Sequence, residues 1–139
     1  MPRTRVETRA RARVLQALYA WDVRGDEPLE RVASLIWDDL SVAPDERKLA
    51  QVLVTTIVGH GAELDSEIVE VTTNWRLDRL AVMDRCVLRL GAAELHRGET
   101  PPRVVIQEAV RLAERYGSVK SAKFVNGVLD ALARRMGRM

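Results

Sequence analysis

At 139 residues the chain is long enough to bury one core without help from metals or disulfides. Its single cysteine excludes an internal bridge, and no apolar run reaches the length of a membrane span. The formal net charge of +2 hides an uneven layout: arginines gather at Arg3 to Arg13 and again at Arg134, Arg135 and Arg138, while the middle, Asp26 to Glu70, is acidic. Such a layout can steer a nucleic-acid strand to one side of a protein. The basic N-terminus is not followed by the apolar block of a signal peptide, so a soluble, cytoplasmic protein with no membrane contact is expected. Cys86, set among Met83, Val87 and Leu90, reads as a small core filler.

Apolar residues recur at helical spacing throughout, and nowhere do they alternate for long enough to suggest a strand. The first helix is expected from about Thr4 to Val23, ending at Arg24-Gly25-Asp26. At 100° per residue Val14, Leu18 and Trp21 share a face with Leu15 on its shoulder, while Arg5, Arg9, Arg13 and Gln16 fall opposite. Such a helix anchors on its apolar stripe and holds guanidinium groups in water at one-turn spacing, suited to a phosphate backbone. A plain solvated face is the competing reading, but only Glu7 opposes the five arginines from Arg3 to Arg13. Arg11 projects on the apolar side, which predicts an internal ion pair rather than ligand contact.

A second helix is expected from Pro28 to about Leu40, with Leu29, Val32, Ile36 and Leu40 inward and Leu35 and Trp37 flanking. After Ser41-Val-Ala-Pro44 a long helix runs from about Asp45 to Thr73, with Leu49, Val52, Leu53, Thr56, Ile57, Leu64 and Ile68 inward. Gly59-His60-Gly61 interrupts it, as a kink, a split or a site of close helix approach. Asn74-Trp75-Arg76 ends it, and Leu77 to Leu80 forms a short helical turn. A helix from about Val82 to His96 follows, with Val87, Leu88, Leu90, Gly91 and Leu95 inward, stopped by Gly98. The next spans about Pro102 to Tyr116, with Ile106, Ala109, Val110 and Ala113 inward and Gly117 as a left-handed cap. The last spans about Val119 to Met136, with Val125, Val128, Leu129 and Leu132 inward. These make seven helical elements in an all-α fold.

His60 and His96 lie in separate helices without a Cys or carboxylate at ligand spacing, and no phosphate loop, nucleophile elbow or zinc spacing occurs. The pairs Asp38-Asp39 and Asp45-Glu46 are accounted for by helix ends. No catalytic residue, cofactor or metal is therefore expected, and the chain reads as a binding protein. The stretch Tyr116 to Gly127 is the second candidate surface. A helix ends and another begins there, Ser118 or Ser121 can cap the new one, and Lys120 and Lys123 add charge beside its free N–H groups. Tyr116 and Phe124 flank the turn and could stack unpaired bases, Phe124 lying one residue off the apolar stripe. Gly127 is expected to allow close helix contact.

Three segments resemble the NusB family of bacterial transcription antitermination factors: Ala10 to Trp21; Asn74-Trp75 with Asp84-Arg-Cys-Val-Leu-Arg-Leu and Glu94-Leu95; and Pro102 to Asp130, including Phe124-Val-Asn-Gly-Val-Leu-Asp. The likeness covers most of the chain and is weakest from Gly25 to Glu70. It implies a single domain over 1–139 made of two helical subdomains, three helices then four, at about 1–74 and 75–139, sharing a core. It also implies binding of boxA-type single-stranded RNA together with NusE, the small-subunit ribosomal protein, on RNA polymerase complexes that transcribe ribosomal RNA. By matching positions, Arg9, Gln16, Tyr19, Tyr116 and Phe124 would touch RNA; the residue reading adds Arg3, Arg5, Arg13, Lys120 and Lys123. One departure is Glu7-Thr8-Arg9, where relatives often carry a dense arginine run. Two alternatives stay open: a dimeric interaction protein that masks its arginine row, and a stand-alone relative of the NusB-like domain of RNA cytosine methyltransferases.

Overall fold

A computed structural model of the chain describes residues 5–72 and 76–139, with Arg5 described by its backbone alone. Arg3, Asn74 and Trp75 lie outside the described residues. The described chain forms α1 (Arg5–Arg24), α2 (Leu29–Asp39), α3 (Pro44–Val71), a 3-10 turn at Leu77–Arg79, α4 (Val82–Arg97), α5 (Pro102–Tyr116) and α6 (Val119–Arg135). The seventh expected helical element is thus that single tight turn.

Local chemistry sets the ends. Gly25 takes φ +77° and its N–H donates to the Trp21 carbonyl, closing α1. Pro44 and Pro102 each open a helix at its first turn, where a missing N–H costs nothing. Gly98, at φ +70°, ends α4 in the left-handed region. Within α3 the expected interruption is a kink at His60, with φ −124° and ψ 15°. A Cβ at Gly59 or Gly61 would meet nothing within 4 Å, so no neighbouring helix presses there.

Helix directions follow from ion pairs. Arg11 near the start of α1 meets Glu94 near the end of α4, and Asp22 near the end of α1 meets Arg85 near the start of α4. The two helices are therefore antiparallel. The short link from Gly98 to Pro101 turns α5 back along α4, so α1 and α5 run the same way. One buried cluster draws on all six helices, from Val14 and Leu18 through Trp37, Ile57, Leu88 and Val105 to Leu129. The tightest approach is at Gly91, where a Cβ would stand 2.7 Å from Leu129 Cδ1. No helix among the described residues is long and apolar enough to cross a membrane.

Several inward faces differ from expectation. On α2 the buried set is Leu29, Val32, Ala33 and Trp37, while Leu40 is exposed. The helix is rotated because Trp37 is drawn in and donates its Nε1–H to the Arg13 carbonyl at 3.1 Å. On α3, Leu49 and Val52 are exposed and Ala50 and Val54 take their place, because the buried stripe is narrower than the apolar one. Val110 is half-buried, with Val105 and Leu112 packing instead. A Cβ at Gly127 would meet nothing within 4 Å, so that glycine makes no close helix contact. The C-terminal arginines are exposed and make surface contacts: Arg134 pairs with Asp130, Arg135 with Glu70, and Arg138 donates to the His96 carbonyl.

Arg11 forms the expected internal ion pair. Its side chain is 6% exposed; Nε and Nη2 donate to Glu94 at 2.8 and 2.9 Å, and Nη1 donates to Glu108 at 3.2 Å. Burial opposes its charge, but the Glu94 hydrogen bonds and charge prevail and hold its pKa above the ordinary value. Arg11→Ala would strand the Glu94 carboxylate and take one partner from Glu108, at a cost of about 3–5 kcal/mol, read as a large drop in the urea unfolding midpoint. Asp22 is held below the ordinary aspartate pKa, first by hydrogen bonding from Arg85 and then, against burial, by the charges of Arg85 and Arg89. A depressed folded pKa means stabilisation that is present above the ordinary value of 3.8 and lost as pH falls through the folded value. Thermal melts of Asp22→Asn should therefore lose part of the acid sensitivity seen in the parent below about pH 4.

Candidate nucleic-acid interface

The outer face of α1 carries the predicted row, but not as free cations. Arg9 Nε donates to Glu46 Oε2 at 2.7 Å, and Arg13 Nε approaches Glu46 Oε1 at 3.4 Å. Arg13 Nη1 also donates to the Gln16 side chain at 3.3 Å. The Arg9 side chain is 49% exposed and that of Arg13 28%, whereas Glu46 is buried. The expectation of a row held wholly in water is corrected: two guanidiniums share one carboxylate, which leaves one net positive charge. Glu46 was assigned to a helix end from its position, yet Asp45 alone makes the local contact, accepting from the Glu46 N–H. Asp38 likewise pairs across to Arg47.

The other flank of α1 faces α5. Thr8 Oγ1 donates to Glu108 Oε1 at 2.8 Å, and Glu108 Oε2 lies 3.8 Å from Arg111. A shallow groove follows this seam, lined by Thr8, Arg11, Glu108, Arg111, Leu112, Glu114 and Arg115, so that arginines and acids share it. At 100° per residue Tyr19 falls within about 20° of Thr8 on the helix surface, three turns further on. Because α1 and α5 run in the same direction, Tyr19 lies toward the end of the molecule where α5 finishes at Tyr116. Tyr19 and Tyr116 are both exposed.

At that end Arg115 lies 5.5 Å from the Tyr116 ring centroid, a cation–π distance. Ser118 caps α6, accepting the Ser121 N–H at 3.0 Å, as the sequence suggests. Gly117 is not the expected left-handed cap, having φ −116° and ψ −109°. Its role is space, since a Cβ would stand 2.7 Å from the Ala113 carbonyl oxygen. Lys120 and Lys123 are exposed on the first turns of α6. Phe124 lies at the rim, 36% exposed, and with Lys123 borders an open groove reaching Arg79, Leu80 and Asp84.

The fold thus gathers Arg9, Arg13 and Gln16 into one network, and Tyr116, Lys120, Lys123 and Phe124 around one turn. It does not place them in contact, and the groove between α1 and α5 is lined by none of them. Arg3 and the Arg5 side chain fall outside the described residues. Sequence reasoning missed Arg111 and Arg115, which extend the cationic seam, although their four-residue spacing just before Tyr116 was a usable signal. It also missed the contact of His60 with His96, whose ring centroids lie 4.2 Å apart with the planes tilted by 43°. Among the described residues no group of three or more His, Cys, Asp or Glu could hold a metal ion. Gly117→Ala should destabilise the α5–α6 turn by about 1–3 kcal/mol through the backbone clash, measurable as a lowered melting temperature.

The architecture is an all-helical bundle with arginines and exposed aromatic residues on its surface, a kind of surface that can hold a nucleic-acid strand. Comparison with known proteins specifies it further. The NusB family model matches residues 8–134. A transcription antitermination protein NusB from Anaeromyxobacter dehalogenans is 49% identical over 129 residues, covering 91% of this chain and 89% of that protein. The one from Sorangium cellulosum is 44% identical over 130 residues, covering 93% and 92%. A NusB chain in a crystal structure of antitermination factors NusB and NusE in complex with dsRNA superposes with a TM-score of 0.87 at 33% identity, covering 96% of this chain and 99% of that one. T. maritima NusB gives 0.83 at 35% identity, covering 96% and 93%. The chain belongs to the NusB family, whose members are transcription antitermination factors rather than enzymes.

Proposed function

We propose that this chain binds boxA-type single-stranded RNA together with NusE, and so supports processive transcription of ribosomal RNA by RNA polymerase in the cytoplasm. The observation that carries the reading is the shared direction of α1 and α5. It supports a path from Arg9, Arg13 and Gln16 on the α3 side of α1, past Tyr19, to Arg111, Arg115 and the turn from Tyr116 to Phe124. Phosphates follow the guanidinium and ammonium groups, while Tyr19, Tyr116 and Phe124 offer faces to unpaired bases. The family neighbour solved with NusE and dsRNA supports RNA and NusE as partners. The chain works as two helical subdomains, about 1–74 and 75–139, with α1 of the first packed on α4 of the second. A homodimer that buried the outer face of α1 would compete with RNA.

Titration of boxA-like and scrambled oligonucleotides, with and without NusE, tests the proposal. Neutralising about three phosphates predicts a log–log salt slope near −2, at roughly −0.7 per phosphate. Arg9→Ala/Arg13→Ala should weaken binding and flatten that slope, and Phe124→Ala should cost about 1–3 kcal/mol if a base stacks on it. Salt-independent binding, or full binding by the double variant, would overturn the arginine site. Sedimentation with and without RNA reports whether a dimer releases the strand.

A further inference from the structure

Glu46 sits in the first turn of α3, on a different element from the arginines it meets. Its side chain is 8% exposed, and both carboxylate oxygens are used, one toward Arg9 Nε and one toward Arg13 Nε. A guanidinium has two edges that can grip an anion, a side edge containing Nε and an end edge of the two Nη groups. Glu46 takes the Nε position on both arginines. Neither arginine gives an Nη group to Glu46; Arg13 Nη1 donates instead to the Gln16 side chain at 3.3 Å. A buried carboxylate on a helix start cannot follow the arginines if they swing, so it fixes them.

We propose that Glu46 is a positioning residue for RNA: it clamps Arg9 and Arg13 by their Nε groups and leaves the Arg9 Nη pair and Arg13 Nη2 to grip consecutive phosphates. This rests on the reading that Arg9 and Arg13 face RNA. Opposing effects of one substitution make it testable. If Glu46 were only a counter-charge, its removal would raise the local positive potential and tighten RNA binding. If it is a positioning residue, its removal frees two long side chains that must be ordered again on binding, and binding weakens.

The experiment measures RNA affinity across salt concentrations for the parent, Glu46→Gln, Arg9→Ala/Arg13→Ala and the triple variant, with melting temperature as a fold check. The expected result is a roughly three- to tenfold loss for Glu46→Gln, on the scale of re-ordering a long side chain. No further loss should follow when the same change is added to Arg9→Ala/Arg13→Ala. Tighter or unchanged binding by Glu46→Gln overturns the proposal, as does an equal loss in the double-variant background, which would mark a general structural effect. Full binding by Arg9→Ala/Arg13→Ala alone instead defeats the underlying arginine site. Should Glu46→Gln fail to fold, the parent protein gives a second readout by NMR of arginine side chains. The Arg9 and Arg13 Nε–H signals should be protected from exchange before RNA is added and keep their positions after it. Unprotected Nε–H groups in the free protein overturn the clamp.

Discussion

Arg11 reaches Glu94 and Glu108 from inside the bundle, and that buried ion cluster sets how α1 is rotated about its own axis. A purely apolar stripe tolerates some rotation, because packing is non-directional. A guanidinium with three directed donors does not, since each carboxylate left unpaired in the interior costs several kcal/mol. The cluster joins α1 to α4 and α5 at once. It therefore decides that Thr8 faces α5 and that Arg9 and Arg13 face α3. Asp22, held between Arg85 and Arg89, repeats the arrangement at the other end of α1. Two polar anchors about three turns apart fix both the rotation and the direction of the helix.

The candidate interface follows from that placement. Neither half of it is well equipped alone. The outer face of α1 has cations whose charge is shared with Glu46, and the α5–α6 turn has two aromatic residues with two lysines. The seam supplies what lies between, through Arg111 and Arg115. Net charge says little about such a surface. The C-terminal arginines count equally toward the total, yet they lie against Asp130, Glu70 and the His96 carbonyl, whereas Arg115 lies beside Tyr116.

Much was legible in the sequence wherever local rules act. Helix starts at Pro44 and Pro102, the stop at Gly98 and the Ser118 cap follow from backbone chemistry that involves only a few adjacent residues. The buried Arg11 was legible too, since a charge on an apolar meridian has few other uses. The inward stripes of α4 and α6 came out as read because both are covered on a broad face. Misreadings fall where a distant partner intervened. Trp37 turned α2 by reaching the Arg13 carbonyl, and Glu46 left its helix-end role for two arginines of α1. Gly117 was read as a left-handed cap, but the neighbouring turns needed its missing side chain instead.

The sequence by itself determined an all-helical chain, the positions of its breaks and the residue types available for gripping a phosphate strand. These depend on propensity, periodicity and capping, which operate within a turn or two. Only the tertiary structure decided which cations are paired and with what, and that Arg9 and Arg13 turn toward α3 while Thr8 turns toward α5. Charge pairing between residues such as Arg9 and Glu46, or Thr8 and Glu108, spans long stretches of chain. Its geometry exists only once the helices have packed, because a hydrogen bond is set by distance and direction in space rather than by spacing along the chain.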